Sequence, residues 1–272
     1  MRLALTALVV LLAAPVALAQ SRVDVSVTPF PGPVVPADGP ARTNVTVRIA
    51  CGDLPREGTL SLSAQHREAW ITTTIDPAEA HPDAAACDGE YALDATLTAT
   101  LAPDAPAFEE SVVQVGALLR GGRDALVGSQ AIRVKAGFYG AVRLEAAKTT
   151  ATGAAGNVVT FPIVVTNLGN GLAKVGFDLA AKNGSVQVPL PPSVVIEPFA
   201  NATVQAQAIV PKSGGSSDFT LVATPAYAYD PALTGASAAV VLTVHREASV
   251  PASGVAAALA ALALAHFRRP LR

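Results

Sequence analysis

The sequence predicts an all-β protein, two tandem β-sandwiches set between an apolar N-terminal segment and an apolar C-terminal one. Three observations predict it. Only 15% of the residues are charged, and Ala, Val, Thr, Gly and Pro are abundant without any long stretch of helical period. Apolar and polar residues alternate in several runs, which is the pattern of a strand with one buried and one wet face. The order of strands and turns in the first half of the chain recurs in the second.

Taken in order, the chain opens with a secretory signal at residues 1–19. Arg2 supplies the positive start, Leu3 to Val16 the apolar run, and Ala17-Leu18-Ala19 a small-x-small cleavage site before Gln20. The other reading, an uncleaved anchor, meets a run that is short against the roughly 20 residues a bilayer requires. From Thr43 to Cys51, Val45, Val47, Ile49 and Cys51 share one face, and Asn44, Thr46 and Arg48 the other. From Tyr91 to Leu101, Leu93, Ala95, Leu97 and Leu101 point one way, opposite Asp94, Thr96, Thr98 and Thr100. From Asn157 to Asn167 the inward set is Val159, Phe161, Ile163 and Val165.

The repeat organises these runs. TNVTVRIACGDLPREGTLSLSA from Thr43 matches NVVTFPIVVTNLGNGLAKVGFDLAA from Asn157 as strand, polar turn, strand. AWITTTIDP from Ala69 stands against SVVIEPF from Ser193, and the long strand, Pro-containing turn and long strand from Tyr91 against those from Asn201. SQAIRVKA from Ser129 and SAAVVLTVHR from Ser237 close the units. With strands about eight to twelve residues apart, this predicts two seven-stranded immunoglobulin-like sandwiches, residues 20–137 and 138–246. In Gly214-Gly215-Ser216-Ser217-Asp218 the sequence reads as a hairpin loop, and it is the chain's nearest approach to a Gly-x-Ser-x-Gly nucleophile turn.

Beyond a stalk at residues 247–251, residues 252–267 read as one transmembrane helix, and Arg268 and Arg269 in the closing 268–272 as its cytoplasmic flank. Ser249-Val250-Pro251, an Ala/Leu helix and a basic end together resemble the C-terminal sorting tails handled by exosortases and archaeosortases. In those tails the Pro-containing motif is where the chain is cut and attached elsewhere. Here it is Val250-Pro251-Ala252-Ser253, without the glutamate or phenylalanine of the best-known versions; an ordinary single-pass anchor is the alternative.

The second unit, at VVTFPIVVTNLGNG and PPSVVIEPFANATVQAQAIVP, resembles the CARDB domain and the related sandwich found beside α-galactosidases and in bacterial and archaeal surface proteins. The resemblance implies a module for adhesion, spacing or accessory binding, and it implies no catalytic residue.

Cys51 and Cys87 are the chain's two cysteines, both in the exported part. If Cys51 ends the second strand and Cys87 precedes the fifth, an immunoglobulin-like order makes those strands antiparallel neighbours, and a disulfide joins them. Two buried free thiols are the other reading. Residues 20–137 carry nine basic and fifteen acidic side chains and residues 138–247 six of each, so neither unit has the basic stripe that nucleic acid requires. The acidic excess gathers partly at Asp76, Glu79, His81, Asp83, Asp88 and Glu90, which invites comparison with a calcium loop, although the spacing matches neither an EF-hand nor a nonapeptide repeat. The loop is therefore read as solvated, with no cofactor, and a bound calcium ion is the alternative.

Copper chemistry lacks its ligands, since Met1 is the only methionine and Asp88-Gly89-Glu90 follow Cys87. His66, His81, His245 and His266 are isolated from one another and from a nucleophile. Trp70, at the start of a strand, and Phe138-Tyr139 and Tyr227-x-Tyr229, near the domain junction and a strand end, are expected as core plugs or capping contacts, with a glycan platform as the lesser option. Asn44, Asn183 and Asn201 head N-glycosylation sequons, and each is expected to face solvent.

Together these readings imply a non-catalytic, membrane-anchored surface protein with an adhesive, envelope-structural or scaffolding role. Its bulk lies outside the cytoplasm or in the periplasm, and its partners are the membrane and other surface proteins or envelope glycans. A module binding a cation or glycan is the alternative, and an enzyme the weakest one.

Overall fold

The computed structural model describes residues 23–121 and 125–247. The expected signal peptide, transmembrane helix and Arg268 and Arg269 lie outside the described residues. Among the described residues no helix is long and apolar enough to cross a membrane. Strands dominate, with short 3-10 turns at Pro36–Asp38 and Cys51–Asp53.

The first half contains β1 (Val23–Val27), β2 (Ala41–Ala50), β3 (Thr59–Gln65), β4 (Ile71–Asp76), β5 (Glu79–Ala80), β6 (Glu90–Leu101), β7 (Glu110–Arg120) and β8 (Leu126–Lys135). They form two sheets, in the orders β1-β2-β6-β4 and β5-β3-β7-β8. Those orders are the ABED and CFG sheets of an immunoglobulin-like sandwich, with β5 as a short extra edge. Period-two sequence explains the packing: Val45, Val47, Ile49 and Leu97 from one sheet meet Leu60, Val113, Val115 and Leu119 from the other in one buried cluster. Burying each such side chain contributes about 1.5–3 kcal/mol.

The second half contains β9 (Val142–Ala146), β10 (Thr150–Gly153), β11 (Val158–Asn167), β12 (Ala173–Lys182), β13 (Val194–Ile196), β14 (Asn201–Ile209), β15 (Ser216–Tyr227), β16 (Asp230–Thr234) and β17 (Ala238–Arg246). One sheet runs β14-β11-β9 and the other β10-β17-β15-β12-β13, with β16 added on β15. Their shared cluster is centred on Phe161 and Phe219, one ring from each sheet, edge to face with centroids 5.8 Å apart. Such a pair adds about 0.5–1.5 kcal/mol beyond the area it buries.

Three expectations are corrected. The segment from Ser193 does not repeat the one from Ala69 in space, for β4 pairs with β6 whereas the three-residue β13 pairs with β12 in the opposite sheet. Gly214 to Asp218 is not a hairpin loop, because β14 and β15 lie in different sheets and Ser216 already begins β15. Among the described residues the strand count exceeds seven in each half, since β5, β10 and β16 add short segments of two to five residues to the sheets.

Candidate functional site

The structure brings distant side chains together where the two sandwiches meet. The loop between β11 and β12 is shaped by Asn167, which is fully buried. Its Nδ2 donates to the carbonyls of Gly171 (2.9 Å), Ile196 (3.1 Å) and Glu197 (3.1 Å), and its Oδ1 accepts from the Gly169 N–H at 2.9 Å. An Asn so held turns the loop outward and delivers Asn170, only 3% exposed, to the first sandwich. There Asn170 Nδ2 donates to the carbonyls of Ala105 (2.8 Å) and Gly137 (2.9 Å), while Oδ1 accepts from Tyr139 N–H at 2.7 Å. Main-chain bonds flank it, from Ala107 N–H to Asn170 O and from Asn170 N–H to Tyr139 O. The contact tolerates no side chain at Gly169, where a Cβ would collide with the Tyr139 backbone.

Aromatic rings extend the junction. Tyr227 at the end of β15 lies 4.9 Å from Phe108, 5.2 Å from Phe138 and 5.5 Å from Tyr229, centroid to centroid. Lys135 Nζ sits 5.6 Å from the Phe108 centroid, a cation–π contact. Phe108 has φ 67°, a left-handed conformation unusual for a bulky residue, and its N–H donates to the Ala136 carbonyl. Thus Phe138 and Tyr227 meet at the junction, Trp70 packs half-buried on the first core, and Tyr229 is 78% exposed. Phe108 carries no motif, and Asn170, although it lies within the VVTFPIVVTNLGNG run, has no readable role there, since an Asn in a Gly-flanked loop reads as an ordinary turn residue.

The disulfide is formed between Cys51 and Cys87, whose Cα atoms are 5.7 Å apart. It closes one end of the β2–β6 ladder, where Ala50 opposes Glu90 and Cys51 N–H donates to the Gly89 carbonyl. The carboxylates around it point to separate tasks. Glu90 pairs with Arg48 at 3.4 Å, and Asp83 Oδ1 accepts from Ala85 N–H. Asp76, at the end of β4, lines a shallow depression with Asn44 and Asp94. Glu79 lies on β5, and Asp88 sits in the turn before β6. His81 Nδ1 stands 3.4 Å from Thr59 Oγ1, in an open groove of about 460 Å³ that it shares with Arg56, Asp83 and Arg120. Among the described residues no three His, Cys, Asp or Glu side chains are grouped to hold a metal. The sequon residues Asn44, Asn183 and Asn201 are all exposed, on β2, in the turn after β12 and at the start of β14.

Neither a family model nor a curated protein sequence matches the chain. Among solved structures it is similar to PapD-like domain 7 of human CEP192, at 13% identity over 39% of this chain and 86% of that one, with a TM-score of 0.31. It is also similar to a protein of unknown function from Porphyromonas gingivalis W83, at 12% identity over 82% and 99% of the two chains, TM-score 0.27. The D1–D4 ectodomain fragment of ICAM-5 is similar at 17% identity over 82% of this chain and 53% of that one, TM-score 0.31.

Proposed function

We propose that this chain is a non-catalytic surface protein in which two immunoglobulin-like sandwiches act as one display unit, tethered to a membrane by the C-terminal apolar segment. The observation that carries the reading is the Asn170 junction. A side chain with two hydrogen bonds to the other sandwich, at Ala105 and Gly137, and a third to Tyr139 just past the boundary holds two modules at one spacing and angle, which suits adhesion or scaffolding better than independent binding domains on a flexible linker. The Cys51–Cys87 bridge supports an oxidising compartment. A membrane-impermeant amine cross-linker applied to intact cells should capture the chain, through exposed lysines such as Lys182 and Lys212, together with envelope components. Capture only after lysis, and only with cytoplasmic proteins, contradicts the proposal.

The exposed Tyr229 favours a second reading, a glycan stacked on the open end of the aromatic row. Envelope oligosaccharides should then perturb tyrosine fluorescence in the native chain and not in Tyr229→Ala.

A further inference from the structure

In the first sandwich, β4 covers the outer edge of β6. The corresponding strand of the second sandwich, β14, has no such cover, because β13 has gone to the other sheet; β14 is hydrogen-bonded as a ladder to β11 alone. The alternation of backbone groups along a strand settles which ones are free. Val210 N–H donates to Asn157 and Asn167 N–H to Ala200, so even-numbered residues of β14 bond to β11. Ile209 N–H points the other way, to the Gln187 carbonyl. The N–H and C=O groups of Thr203, Gln205 and Gln207 therefore lie on the open edge. Beside them runs a groove of about 500 Å³, walled by Pro189 to Val194.

Other edges are blunted. β8 is longer, but β1 lies along it, with Val27 N–H donating to Gln130 Oε1 at 2.7 Å and Val34 bridging to Ala136. β9 carries Arg143 and Glu145, β4 ends in Asp76, and β5, β10 and β13 are two to four residues long. Nine-residue β14, Asn-Ala-Thr-Val-Gln-Ala-Gln-Ala-Ile, has neither charge nor proline. Such an edge is a template for another strand.

We propose that β14 docks on β14 of a second copy of this chain, antiparallel, about a two-fold axis at Gln205. In that register Thr203 opposes Gln207 of the second copy, and Gln205 opposes its own twin. Each opposed pair then exchanges both N–H···O bonds, about six in all. On the core side Val204 meets the small Ala206, and no two charges are brought together. A slip of one residue would set the open groups against ones already bonded to β11, which excludes odd shifts, and a shift of two toward Ile209 meets a group already bonded to Gln187. Gln187 closes the ladder beyond Gln207, and the Asn201 side chain stands outside it on the solvent face.

The test uses the full chain in its own membrane under mild oxidation. Residues that exchange hydrogen bonds have Cα atoms about 5.5 Å apart, within disulfide range. Gln205→Cys should give a covalent dimer linked between the two substituted positions. Gln207→Cys should give at least tenfold less, its twin being four residues or roughly 14 Å along the ladder. Coexpressed Thr203→Cys and Gln207→Cys chains should cross-link to each other. Adding Thr203→Lys and Gln207→Lys to Gln205→Cys opposes lysines across the axis and should abolish the dimer while circular dichroism stays unchanged. Equal linkage at 205 and 207, no linkage at 205, or linkage at 205 to a different protein would overturn the proposal. The position dependence separates this contact from any association through the membrane segment.

Discussion

Asn170 Nδ2 lies 2.8 Å from the carbonyl oxygen of Ala105, a residue 65 positions earlier and in the other sandwich. Asn170 is buried, so losing its partners leaves carbonyls and an amide N–H without hydrogen bonds. Replacement by Ala should therefore cost about 2 kcal/mol or more. Because the loss falls on the junction and not on either core, calorimetry of Asn170→Ala should show two separated transitions where the native chain shows one.

Asn170→Asp sharpens the point. It keeps the acceptor for Tyr139 N–H, but it turns a carboxylate oxygen on the Ala105 and Gly137 carbonyls. That contact raises the carboxyl's affinity for a proton, since only the protonated form can donate to a carbonyl. Its folded pKa then lies above the unfolded value, so the deficit relative to the native chain should shrink as pH falls from 7 to 4. Equal deficits at both pH values would contradict the geometry.

Phe108 separates strain from stacking. At φ 67° its backbone costs about 1–2 kcal/mol relative to glycine, while its ring contacts Tyr227 and Lys135. Phe108→Ala loses the ring and keeps the strain; Phe108→Gly loses the ring and relieves it. Denaturant unfolding should accordingly find Phe108→Gly more stable than Phe108→Ala by about 1 kcal/mol, the reverse of the usual order within a strand.

Reduction of Cys51–Cys87 opens a 36-residue separation, which the chain-entropy account values at about 4 kcal/mol. The first sandwich should melt earlier after reduction. Phe161 to Phe219 packing in the second is not touched, and its transition should stay in place in Asn170→Ala, where the two are read separately.

Calcium or chelator should leave the melting curve unchanged, because Glu90 is paired with Arg48 and Asp83 with Ala85 N–H, away from Asp76 beside Asn44 and Asp94. A cation bound to the folded state at a hundred times its dissociation constant would add about 2.7 kcal/mol. A calcium-dependent rise abolished by Asp83→Asn and Asp88→Asn would restore a cation site.

Legibility in the sequence followed the physics that each feature obeys. Val45, Val47 and Ile49 were readable as a buried row because burial alone imposes period two, and Cys51 and Cys87 were readable because neighbouring strands in a sandwich put them side by side. Alternation does not say which strand is the neighbour. Hence β13 looked like β4, and the turn at Gly214 looked like a hairpin although β14 and β15 belong to opposite sheets. Asp230–Thr234 is exposed throughout and carries no pattern at all. The roles of Asn167 and Asn170 were hidden for a different reason: an asparagine bonded to carbonyls of distant segments has the same letter as one bonded to water.

The claim that both sandwiches stand outside the cytoplasm is tested most directly with Lys212→Cys. Lys212 is exposed in the turn before β15, and both native cysteines are in the disulfide, so this variant carries one reactive thiol. A small maleimide that crosses an outer membrane but not a cytoplasmic one should label it fully in intact cells. Labelling that appears only after the cytoplasmic membrane is opened would place the sandwiches inside and contradict the account.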